Sequence, residues 1–478
     1  MRASVAAAGL LAALGMAGSP PAEGSTAARV AMCTEDRAAV VDETDALSAG
    51  AGPHGAAPEG GERDVGGSGT GPSRAAGVLH EGIDTEAVPG VNIRLYWKRG
   101  INYRVENEIV LFEHASRLDG RIGMRMQVDA AAYAPAGGTG VGGGIDLRRF
   151  YFYTTGELDF IYPILFSVDL GVQGDGFFVD DAYLWLTDLP YVGTLKIGQF
   201  DAPMSLAQLT GSGTRPLMET GTPAEAFAPA SKAGIQLAND AYDRRLTWQV
   251  GWFGDTQAVA VGDASESFAR VVGRLTGLPV FERGADGPRL LHLGISSSFV
   301  FASRQRVRYR SRPESFLAPD LVDTGDIDAS GAALLGLEAA WVDGPVSFQA
   351  ELLGSSVRSR DRGNPVLFGV YAMGSYFLTG ESRPFNRKSA IFAPVVPTRP
   401  FHWENGQTGA WELAGRLSYT DLSDDGVDGG EVITLLTGIN WYWSRYGRLM
   451  FEYGYSNARG GPKDGGLHIF QTRFQVNI

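Results

Sequence analysis

From about Val91 to the last residue, apolar and polar side chains alternate one by one in segment after segment. In 448–456, Leu449, Phe451, Tyr453 and Tyr455 share one parity, and Arg448, Met450, Glu452, Gly454 and Ser456 the other. In 432–443, Ile433, Leu435, Ile439, Trp441 and Trp443 oppose Thr434, Gly438 and Asn440. In 121–130, Met124, Met126, Val128 and Ala130 oppose Arg121, Arg125, Gln127 and Asp129. The chain ends the same way, with Phe470, Phe474, Val476 and Ile478 against Gln471, Arg473, Gln475 and Asn477. A period of two places alternate residues on opposite faces of a β-strand. A membrane helix needs about 20 apolar residues in a row. The richest late candidate, 331–342, is short and carries Glu338. Any membrane role therefore falls to a closed barrel.

The same rhythm fits a soluble sandwich with one wet face. Aromatics at segment ends (Trp97, Tyr162, Tyr191, Trp252, Trp441, Trp443 and Tyr446) tilt the reading toward a membrane barrel with interfacial girdles. Pattern reading gives an all-β fold, a transmembrane antiparallel β-barrel of about sixteen to eighteen strands. A barrel of that size leaves a water-filled lumen. The 65 glycines, about twice the usual share, suit such a turn-rich fold.

Three regions are expected. Residues 1–22 read as a secretory signal, with Arg2 ahead of the apolar stretch 5–16 and small residues around Ala17 to Ala22. Residues 23–88 are rich in Ala, Gly, Pro and acid and hold −8 of the formal −13 charge, a composition that cannot bury a core. Residues 89–478 form the barrel. The single cysteine, Cys33, excludes an internal disulfide framework and a cysteine-built metal site.

Arginine occupies every second position from 304 to 312: Arg304, Arg306, Arg308, Arg310 and Arg312. On one strand they share a side and reach about 25 Å. Like charges in such a row repel, so the row makes sense if anions move along it. A polybasic surface loop is the plainer reading of the same residues. Residues 203–229 contain four prolines and little alternation, and 381–406 are similarly irregular. Loops of that length are usually functional or disordered, and the first is a candidate for a constriction loop folded into the lumen.

Enzyme signatures are missing. Gly138, Gly140 and Gly143 satisfy G-x-G-x-x-G, but no helix pattern follows to hold a pyrophosphate. The six histidines lack metal-ligand spacing. Asp421, Asp424, Asp425, Asp428 and Glu431 lack the EF-hand spacing and read as a hairpin turn. Asp180 and Asp181, adjacent in a strand, are expected to face opposite sides.

Three blocks carry a resemblance. The stretch 193–206, GTLKIGQFDAPMSL, with Met218-Glu219 after it and Asp181 to Leu184 before it, resembles the phosphate-selective porin O and P family of outer-membrane channels. Arg148-Arg149 before an aromatic strand, and YFLTGESRP (376–384) through GAWELAGRLSY (409–419) to INWYW (439–443), match as well. The resemblance implies a 16-stranded barrel, usually trimeric, with a lumenal arginine ladder. The matching positions are Arg125, Arg148 or Arg149, and Arg304, Arg306, Arg308 and Arg310. Strand parity lets only one of Arg148 and Arg149 face the lumen. The family's well-studied phosphate channels carry a lysine just inside the constriction loop. Here that stretch, Ala207-Gln208, is neutral, and Arg215 is the sole cation between Lys196 and Lys232.

The expected function is passive diffusion of small inorganic anions, phosphate or related oxyanions, with Gln208 and Arg215 in the constriction. No enzyme activity, cofactor, metal or nucleic-acid partner is expected; the partners are anions, outer-membrane lipid and a homotrimer. Two other readings stay open. One is a structural or adhesive barrel whose lumen is blocked by paired charges, with Asp129, Glu157, Asp169, Glu338 and Glu351 supplying the acids. The other is a secreted β-protein that binds polyanions.

Overall fold

The computed structural model describes residues 91–97, 116–136, 142–158, 164–173, 176–229, 231–254, 269–284 and 287–478. The expected signal (1–22) and acidic tail (23–88), with Cys33, lie outside the described residues, as do Gly138 and Gly140.

Seventeen antiparallel strands form one sheet. Ser116–Pro135 pairs with Gly142–Leu158 on one edge and with the last strand, Gly465–Asn477, on the other, so the sheet closes on itself. The first strand, Val91–Trp97, occupies the continuation of that second edge, opposite Ser116 to Ile122, below the last strand's partners Arg125 to Pro135. One strand position is thus shared by the first and last described strands, and the ring is a 16-strand barrel. Closure removes the unpaired edges that a membrane would not tolerate.

The alternation maps onto the wall as expected. Ile433, Leu435, Phe451, Tyr453, Phe470 and Phe474 are exposed on the outer face, while Thr434, Arg448, Glu452, Arg473 and Gln475 are buried on the inner one. Residues 331–342 lie in the strand Ile327–Asp343, with Glu338 inward. Gly143 is the second residue of the strand Gly142–Leu158. The acidic turn is a hairpin between Ala410–Asp424 and Val427–Ser444, its corner formed by Asp425 (φ 44°) and Gly426 (φ 85°). Positive φ at both corner positions matches the right-handed strand twist, which suits Asp-Gly.

The connections differ sharply at the two ends. One end carries short links such as 190–192, 344–345 and 445–446, and one long one, 378–409. There Trp411 stacks on Trp441 (5.7 Å) and Trp443 on Phe474 (5.5 Å), an aromatic belt. The other end sends two long connections inward, 201–231 and 308–326. The first, the expected constriction loop, contains two short helices, α1 (Leu206–Leu209) and α2 (Thr222–Phe227). Its Ala202, Met204, Leu217 and Phe227 are buried with wall residues Phe253, Val300, Leu353 and Leu436 in the largest apolar cluster. From the opposite end, Ile391 and Phe392 meet Leu206 in a second cluster with Leu278, Leu290 and Val342.

Candidate functional site

Irregular backbone inside a barrel must find partners for its polar groups, and here the wall side chains supply them. Glu351 accepts the N–H groups of Leu206 (3.0 Å) and Ala207 (2.7 Å) at the start of α1. Glu452 accepts Met218 N–H at 2.7 Å, and Asn440 donates to the Pro216 carbonyl at 2.7 Å. Arg416 donates through Nη2 to the Glu219 carbonyl (2.9 Å) and through Nε and Nη2 to Glu314 (2.9 and 2.5 Å). The loop is fastened along its whole length.

Its central fastening is ionic. Glu219 accepts two hydrogen bonds from Arg148, both at 3.0 Å, and one from Arg473 at 2.5 Å. Arg473 reaches both oxygens of Asp129 at 2.7 Å and donates to the Met218 carbonyl at 2.6 Å. All four charged side chains are buried. Paired forks of this kind satisfy both charges with fixed geometry.

Both Arg148 and Arg149 face inward, which corrects the parity expectation. Gln127 is opposite Arg149 and Val128 opposite Leu147, so Arg148 is an inserted residue, a β-bulge. The exposed Leu147 and Phe152 mark the outer face on either side of it. A second bulge does the same at Asp180: Asp169 is opposite Asp181, and Leu170 opposite Val179. Both aspartates are buried, with Val179 and Leu184 exposed outward, so the expectation that Asp180 and Asp181 face opposite sides is corrected too.

Next to the ionic fastening lies a row of different character. Arg448, Gln475, Gln127 and Arg149 stand opposite one another across four adjacent strands. Arg149 donates to Gln127 Oε1 (2.9 Å), and Gln127 donates to Gln475 (2.8 Å) and to Ser212 of the loop (2.9 Å). Arg448 donates to the carbonyls of Ser212 and Arg215 (2.5 and 2.7 Å), to Gln475 and to the Tyr442 hydroxyl. Every one of its hydrogen-bond partners is neutral. Arg125 lies one inward step further, beside Gly213 of the loop. Gln208 is buried within α1, and Arg215 is buried with its carbonyl held by Arg448.

The arginine row is not the uncompensated ladder expected from spacing. The strand Gly287–Val307 is bulged between Phe301 and Gln305, and the chain then leaves the wall as a hairpin in which Arg310 is opposite Asp323. Val307, Tyr309 and Ser311 are buried on one face; Arg306, Arg308 and Arg310 are exposed on the other. Each has an acid beside it: Asp326 with Arg306 (3.2 Å), Asp323 with Arg308, and Asp320 with Arg310 (3.2 Å). Arg312 turns to Glu225 of α2 at 2.8 Å. Fixed carboxylates relieve the repulsion that a moving anion was invoked to relieve. The side chain of Arg304 lies outside the described residues.

Partial burial pushes the Asp323 carboxyl up, but the Arg308 hydrogen bond and the Gly325 N–H outweigh it and hold Asp323 below its ordinary value. A carboxyl depressed in the folded state stabilises above its unfolded value, about 3.9, and that contribution is lost as pH falls through the lower folded value. Amide protection of Tyr309 and Thr324, which bond each other across the hairpin, should therefore hold from neutrality to about pH 4 and weaken only below it. Weakening already near pH 6 would contradict the pairing.

Arg448 and Arg473 stood on the polar parity of their strands without being singled out, because parity marks a face and not a contact. Their roles became visible only with the loop in place.

Residues 121–478 match the family described as phosphate-selective porin O and P. The chain therefore belongs to that family of outer-membrane channels. It is 27% identical to Porin O of Pseudomonas aeruginosa over 327 residues, 60% of this chain and 70% of that one. It is also 27% identical to an uncharacterised protein of Caulobacter vibrioides over 377 residues, 74% of this chain and 73% of that one. Among solved structures it is similar to an anion-selective porin from Comamonas acidovorans, with TM-score 0.48, 12% identity, and coverage of 76% of this chain and 100% of that one.

Proposed function

We propose that this barrel carries small anions across the outer membrane by passive diffusion, with phosphate or related oxyanions as the preferred class. The supporting observation is the cross-strand row at the loop. Arg448 bonds only neutral groups there, and Arg149 and Arg125 share the same stretch of wall. The Arg448 guanidinium, held by neutral groups alone, leaves a positive potential at the constriction beside Arg149 and Arg125, whereas the charges of the neighbouring Asp129–Arg473–Glu219–Arg148 set balance one another. A low-dielectric wall focuses that potential and raises the local anion concentration. Arginine's planar fork suits a tetrahedral oxyanion. In this reading Arg308 and Arg310 act at the mouth as a charge-balanced rim, and Arg306 has no lumenal part. The channel works as a homotrimer, a reading that rests on family membership.

Phosphate preference is tested by block. Millimolar phosphate added to a barrel conducting chloride in a planar bilayer should lower the single-channel current reversibly. Unchanged current would leave a general anion pore with no oxyanion preference.

One observation favours a second reading, a barrel with a blocked lumen. Paired buried charges at Arg473–Asp129, Arg274–Glu338 (2.6 Å) and Arg416–Glu314 (2.5 Å), with a loop buried along most of its length, are what a plugged barrel would show. Conductance of the purified protein separates the two.

A further inference from the structure

Arg306, which the lumenal account does not use, belongs to a basic cluster on the outside of the barrel. Val307 and Ile327, opposite each other, are buried inward, so the next pair, Arg306 and Asp328, faces out. On the neighbouring strand, Val346–Ser359, the outward row runs Phe348, Leu352, Ser356, Arg358. Arg358 is opposite Gly331, whose other neighbour is Phe301, 59% exposed. The Arg358 guanidinium thus sits where the outer apolar wall ends, at the end of the barrel that carries the constriction loop. No hydrogen bond or ion pair holds it among the described residues. Beside it, Arg360 donates to Asp328 (2.7 Å), Arg306 to Asp326 (3.2 Å), and Arg362 stands 4.0 Å from Asp361, so that four arginines stand against three aspartates.

A guanidinium at the hydrocarbon boundary extends toward the polar layer and seeks an anion there. The anions fixed at that depth are the phosphates of lipid headgroups, and an anionic lipid surface attracts a basic residue beside it. A solute crossing the lumen does not meet this face, because Val300 and Val307 mark the inward side of the same strand. We propose that Arg358, with Arg360 and Arg306, docks the phosphate of an anionic lipid headgroup on the outer wall at the loop-bearing rim.

The test uses the full barrel refolded in detergent and incubated with bis-phosphorylated lipid A. Native mass spectrometry then counts the lipid retained, for the wild type, Arg358→Gln and the double variant R358Q/R360Q. Retention should fall several-fold in R358Q and further in the double variant, and dephosphorylated lipid should be retained poorly by all three. Unaltered chloride conductance of the variants verifies their fold. Equal retention by wild type and variants, or equal retention of the dephosphorylated lipid, would overturn the proposal. Displacement of lipid A by millimolar inorganic phosphate would also overturn it, since the site would then be a free-anion site.

Discussion

Replacing Glu219 with leucine should destabilise the barrel by about 3–5 kcal/mol, the usual cost of removing one partner from a buried ion pair. The reason is specific. Arg473 keeps a bidentate partner in Asp129, so the loss falls mainly on Arg148, whose two bonds to Glu219 vanish. Arg148 also lies over the Phe316 ring, 4.2 Å away, but a cation–π contact is worth only about 2 kcal/mol when desolvated and does not replace a bidentate carboxylate. The Arg416 bond to the Glu219 carbonyl survives, so the loop loosens at one point without detaching. Urea unfolding of the detergent-solubilised protein should show the earlier midpoint, and single-channel records should be noisier. Glu219→Gln, which keeps the shape and one acceptor, should lie between. An unchanged midpoint for the leucine variant would mean that the fastening does not hold the loop.

The second large effect concerns selectivity. Changing Arg149 and Arg448 together to glutamate reverses the charge of the row beside Ser212 and Arg215. A focused lumenal field changes local ion concentration by about tenfold or more, so the anion preference should disappear or invert. The single change Arg448→Gln should lower it without inversion, because Arg149 and Arg125 remain. In contrast, Arg310→Gln at the rim should change selectivity little, since Asp320 already balances Arg310 there. If the rim change outweighs the lumenal pair, the constriction has been placed wrongly.

Much of this architecture was legible in the residues because the strand period is exact in one respect: slipping by one residue moves a whole face. The outward Ile433, Phe451 and Phe474 and the inward Arg448, Arg473 and Gln475 followed from parity alone. Parity failed where the ladder gains a residue. The bulges at Arg148 and Asp180 turn adjacent charged residues to one side, and nothing in RR or DD announces an insertion. Long-range pairing was hidden for another reason. Glu219 is brought to Arg148 and Arg473 by barrel closure, over separations that no local pattern records. The aspartates of the rim hairpin were closer to view. Asp320, Asp323 and Asp326 follow the arginines within one antiparallel turn, so a hairpin reading of 306–326 would have offered them as partners.

Reversal potential across a planar bilayer under a potassium chloride gradient tests the central claim most directly. An anion-conducting lumen predicts a sign set by chloride, with the preference reduced in R448Q. A sign set by potassium, or purified protein that inserts and passes no current, would contradict it.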